Sequence, residues 1–65
     1  MMKNEKWFFG TLERENEKWV LKNAYGTIEF GRVYQKGHFN MSQLGRNVHG
    51  KVSRNRIVNY HLEVI

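Results

Sequence analysis

The chain has 65 residues, a mass of 7.8 kDa, no cysteine and no proline. That length allows one small domain, and it excludes disulfide staples, thiolate metal sites and a cysteine nucleophile. Its net charge is +5 and 40% of its residues are hydrophobic, too many for a disordered tail.

No apolar run approaches the roughly 18 residues that a membrane span needs. The N-terminal stretch also lacks a signal-peptide apolar region, so the expectation is a soluble, cytoplasmic protein without a membrane partner. The charge is unevenly placed. Residues 1–31 carry five cations (Lys3, Lys6, Arg14, Lys18, Lys22) and five glutamates, whereas residues 32–65 carry Arg32, Lys36, Arg46, Lys51, Arg54 and Arg56 against Glu63 alone. All of the excess lies in the second half, which points to a polyanion or an acidic partner.

Period-two patterning dominates from the start. Lys6–Glu13 is rich in bulky and aromatic residues and reads as a strand. Phe8 and Phe9 point to opposite faces of such a strand, so either Phe8 or the pair Trp7 and Phe9 looks outward. A turn at Glu15-Asn16 leads into a second strand over Lys18–Lys22, with Leu12 expected opposite Trp19 and Glu13 opposite Lys18. Asn23-Ala24-Tyr25-Gly26 is the next turn. A third strand follows over Thr27–Val33, with Ile28 and Phe30 on one face and Gly31 marking a bulge or bend.

Asn40–Gly45 holds the one helical signal. Asn40 can cap it, Gln43 completes a capping box, and Gly45 suits a left-handed stop, which allows about one turn. The last hairpin is predicted around a three-residue turn, Arg54-Asn55-Arg56. It pairs Val52 with Val58, Gly50 with Tyr60 and Val48 with Leu62 on the inward face, and Val64 extends that row. His49, Lys51, Ile57 and His61 then lie on the outer face, with His49 directly opposite His61. A one-residue slip would bury lysine and histidine instead.

The sum is an all-β domain of five strands spanning 1–65, with one short helical turn near 40–45. A sheet this small avoids exposed edges by closing into a barrel. Two architectures fit: an OB-like barrel, whose helix falls between strands three and four, and a Src-homology-3-like barrel.

Catalysis finds little support. Ser42 and Ser53 lie in no nucleophile motif, the chain has no aspartate, and so small a domain has little room for a pocket once its core is filled. The expectation is therefore a protein that is not an enzyme. His38, His49 and His61 match no standard metal-ligand spacing, and neither a metal nor a cofactor is implied. Rings beside cations on a sheet are, by contrast, how single strands are held.

Several segments resemble the cold-shock and related RNA-binding OB-fold domains. Tyr25-Gly26-Thr27-Ile28-Glu29-Phe30 is similar to the family's aromatic-Gly-aromatic-aliphatic strand. Gly37-His38-Phe39, with Ser42-Gln43-Leu44 after it, is similar to its aromatic and histidine strand, and Gly45–Val48 opens a fourth strand. The resemblance covers roughly residues 6–65 and implies single-stranded nucleic-acid binding through Tyr25, His38 and Phe39. It departs from the family where Thr27 replaces a second stacking ring, and where Lys6-Trp7-Phe8 precedes Gly10 instead of following it. The charge pattern adds Arg46, Lys51, Arg54 and Arg56 as phosphate contacts, with His49 and His61 on the same face.

The expected partner is thus single-stranded nucleic acid, RNA above all. One alternative is a small protein-binding module or inhibitor that engages an acidic surface with the basic hairpin. A homo-oligomer formed by edge pairing is a third reading.

Overall fold

The computed structural model describes residues 6–63, which form an all-β domain with two short 3-10 turns. The strands are β1 (Lys6–Glu15), β2 (Lys18–Asn23), β3 (Gly26–Phe30), β4 (Asn47–Ser53) and β5 (Arg56–Leu62). They form one sheet that closes in a ring of order β1-β2-β3-β5-β4, with β4 returning to β1. Every pairing is antiparallel except that of β3 with β5.

β1 serves two neighbours in succession. Lys6–Thr11 pair with β4, and Thr11–Glu15 pair with β2. The hand-over falls at Gly10, where a Cβ would lie 2.7 Å from the Lys22 carbonyl oxygen. Glycine lets the two backbones approach this closely.

The β1–β2 turn differs from the expected one. Its tip is Asn16-Glu17, both left-handed at φ 52° and 65°, and Leu12 faces Leu21, Glu13 faces Val20, and Glu15 faces Lys18. A two-residue turn with both φ positive twists with the flanking strands, so it prevails over the expected centre at Glu15-Asn16. The register moves by two residues, which leaves each side chain on its expected face.

The last hairpin is corrected in the same way. Arg54 and Asn55 form a two-residue left-handed turn at φ 53° and 67°, and Ser53 pairs with Arg56 and Val52 with Ile57. A bulge then inserts Val58, after which Lys51–Asn59, Gly50–Tyr60, His49–His61 and Val48–Leu62 follow as expected. Ile57 therefore fills the core and Val58 faces outward, the reverse of the expected assignment. The expected continuation at Val64 lies outside the described residues.

The fully buried centre is Leu12, Leu21, Phe30, Val48 and Ile57, joined by Trp19 and Phe39. Phe30 packs edge-on against Phe39, Tyr34 and Tyr60, with ring centroids 4.9, 5.6 and 5.7 Å away. Gly50 supplies the space for this packing. A Cβ there would sit 2.6 Å from Leu21 Cδ1 and 2.8 Å from Ile57 Cδ1.

The third strand ends at Phe30, earlier than the sequence suggested, and Arg32–Tyr34 coil into a 3-10 turn. Gly31 is no bulge; its N–H donates to the Ile57 carbonyl at 2.9 Å and extends the β3–β5 contact. The expected helical turn is present as a 3-10 turn over Met41–Gln43 with its full capping box, and Gly45 takes φ +84°.

Gln35 makes a tie that the sequence did not signal. Its Oε1 accepts the Trp19 N–H at 2.7 Å, and its Nε2 donates to the carbonyls of Trp19 (3.0 Å) and Phe30 (2.9 Å). A side-chain amide thus stands in for a strand neighbour.

Gly50→Ala is expected to lose about 1–3 kcal/mol, the usual result of overpacking a filled core. Glu17→Gly should instead gain about 1 kcal/mol, because a residue with Cβ is disfavoured by about that much in the left-handed region. Urea unfolding of both variants beside the parent chain measures the two effects with opposite signs.

Candidate nucleic-acid interface

Strand alternation places Phe8 inward against the core and turns Trp7 and Phe9 out, 43% and 58% exposed. The register then sets Phe9 beside His49 and His49 beside His61, with Trp7 beside Lys51 and Lys51 beside Asn59 in the adjacent row. Trp7 and His61 reach over β4 and lie nearly parallel, their centroids 5.5 Å apart at 15°. Phe9 and His49 meet at 4.6 Å with a 51° tilt. The outer face of β1, β4 and β5 therefore carries two aromatic–imidazole contacts around a lysine.

Beside this patch is an open hollow lined by Phe9, Lys22, Asn23, Asn47 and His49, with Glu63 as its one acid. Asn23 shapes its wall. Its Nδ2 donates to the Phe9 carbonyl at 2.6 Å, and its Oδ1 accepts the Tyr25 N–H at 2.7 Å.

The candidate residues divide into separate groups. His49, Lys51 and His61 come together with Trp7 and Phe9. Tyr25 stands at the tip of the β2–β3 turn, 95% exposed and off the strand on which the resemblance had placed it. His38 belongs to another cluster, its Nε2 hydrogen-bonded to the Tyr60 hydroxyl at 2.6 Å and its ring edge-on to Tyr34. Phe39 corrects the stacking assignment. Only 6% exposed and packed on Trp19 and Phe30, it is core and presents no face to a base.

Among the cations, Arg46 precedes β4 and its carbonyl accepts the Leu12 N–H at 2.9 Å. Arg54 occupies the β4–β5 turn, exposed. Arg56 is held by Glu29 at 2.8 Å, so its charge is already partly answered.

The outer face of β2 and β3 has a different character. Lys18, Val20 and Lys22 alternate with Thr27 and Glu29, and no exposed ring is among them. Lys18 pairs with Glu29 at 3.6 Å and Lys22 with Glu15 at 2.7 Å. The Glu15 hydrogen bond and charge hold the Lys22 ammonium above its ordinary value. Arg14 lies over the Trp19 ring at 5.0 Å.

Trp7 and Phe9 carry the site although no motif marks them; their signal was the alternation of Trp7-Phe8-Phe9 itself. Among the described residues, no group of three or more His, Asp or Glu is placed to hold a metal ion.

The Tyr60 hydroxyl titrates above the ordinary phenol value of 10.0, through burial first and the neighbouring Tyr34 second. A raised folded-state value leaves stability intact below the unfolded value and loses it as pH climbs through the folded one. Unfolding followed from pH 9 to 12 should show this loss, with a shallower slope in Tyr60→Phe. Compared with families, curated proteins and solved structures, the chain has no match.

Proposed function

We propose that this protein is a small OB-like barrel that binds single-stranded nucleic acid, RNA above all, on the outer face of β1, β4 and β5. The fold reading is supported by the ring order, by the parallel β3–β5 pairing, and by the helical turn between the third and fourth strands. The face that such barrels use, on strands two and three, here holds ion pairs and no exposed ring. The ligand surface therefore shifts to the neighbouring face.

The observation that carries this reading is the pair of ring contacts, Trp7–His61 and Phe9–His49, on an exposed sheet surface. Rings at this spacing offer π faces to unstacked bases, and stacking tolerates any sequence. Cations follow the strand: Lys51 lies within β4, Arg46 just before it and Arg54 just after. These three would contact phosphates, and Tyr25 supplies one further exposed ring.

Titration of the chain with an eight-nucleotide uridine RNA tests the reading. Trp7 fluorescence should be quenched on binding, and Trp19→Phe, which removes the buried indole, isolates that signal. Trp7→Ala and Phe9→Ala should each weaken binding about tenfold, since one base–ring stack is worth about 1–3 kcal/mol. The salt dependence should have a slope of about −0.7 for each phosphate contacted. No quenching, or a flat salt profile, rejects the proposal.

A further inference from the structure

The nucleic-acid reading touches an open hollow at the start of β5 only at Arg54. Its walls are Val33, from the first 3-10 turn, and Val58, from the bulge, with Tyr34 between them. Val33 is 78% exposed and Val58 47%. Neither exposure follows from local structure. Val58 faces outward only because the bulge turns it from the inward row, and a β-branched residue gives a helical turn no conformational advantage.

The rim of this apolar floor is cationic. Arg32, Arg54 and Arg56 line it, and no acidic residue does. Arg56 is held by Glu29, while Arg32 and Arg54 form no ion pair among the described residues. The Tyr34 hydroxyl is spent on the Val58 carbonyl at 3.0 Å, which fixes the floor.

We propose that this hollow docks an acidic segment of a partner protein, with an aliphatic side chain against Val33 and Val58 and carboxylates on Arg32 and Arg54. Two features select this occupant. The exposed walls offer valine methyl groups, while the Tyr34 ring is already packed against Phe30, His38 and Tyr60; a guanidinium matches a carboxylate through paired hydrogen bonds. The hollow shares only Arg54 with the nucleic-acid reading, so Arg32, Val33 and Val58 tell the two proposals apart.

The test is an amide chemical-shift titration of the full chain with the capped peptide Glu-Glu-Leu-Glu-Glu. Control peptides replace either the leucine by alanine or the glutamates by glutamine, and the uridine octamer is titrated in parallel. Saturable shifts confined to residues 32–34 and 53–58 are expected. Each control peptide, and the double variant Arg32→Glu/Arg54→Glu, should bind about tenfold more weakly or worse. Val33→Ser/Val58→Thr alters only exposed side chains, so it should keep the parent spectrum elsewhere and lose the peptide. The proposal is overturned by no saturable shift at millimolar peptide, by equal binding of the glutamine peptide, or by the RNA moving the Val33, Tyr34 and Val58 amides at lower concentration.

Discussion

Closing five short strands on themselves requires the meander of the first three to meet the final hairpin along two seams; β1 meets β4 over six residue pairs, but β3 meets β5 over only two. Glu29 faces Arg56 and Phe30 faces Ile57 in parallel alignment. Parallel pairing is slightly weaker per residue than antiparallel, so so short a ladder needs help. It comes from both faces. Inside, Phe30 and Ile57 are fully buried against each other's neighbours; outside, the Glu29–Arg56 ion pair spans the strands. The Gly31 N–H adds one more rung.

The segment between β3 and β4 completes the closure without a long helix. Gln35 ties the start of β2 to the end of β3, and Tyr34 and Tyr60 crowd around Phe30. A chain of this length buries only about 60% of the surface its unfolded form exposes, so side-chain ties of this kind count for much. They also explain why Phe39 lies in the core. The loop that carries it sets its ring against Trp19 of β2 and Phe30 of β3.

Closure fixes which surfaces are left for partners. Around β1, β2 and β3, glutamates and lysines answer one another in pairs, and that side offers little net field. The chain from Arg32 onward holds the excess charge, and the fold distributes it to two places: along β4 beside exposed rings, and around an aliphatic hollow beside β5. Rings favour bases and methyl groups favour aliphatic side chains, so the excess charge of one half of the chain serves two chemically different surfaces.

How much of this could be read directly from the chain depends on the range of the forces involved. Alternation along each strand is local, and it revealed the five strands, the placing of Trp7 and Phe9 on the face opposite Phe8, and the His49–His61 pair; the Asn40-to-Gln43 spacing revealed the capping box. Turn tips and the bulge at Val58 are decided by the twist of two strands together. That is why Ile57 and Val58 exchanged faces although their residue types are interchangeable to any pattern. The fate of Phe39 was less legible still. Nothing near it in sequence distinguishes a buried ring from an exposed one; only the packing of Trp19, Phe30 and Tyr60, from three separate strands, encloses it. Sequence alone determined the β class, the charge asymmetry and the outer-face row of β4. Tertiary structure decided which cations remain open and which rings face solvent, because both depend on neighbours that only ring closure brings within reach.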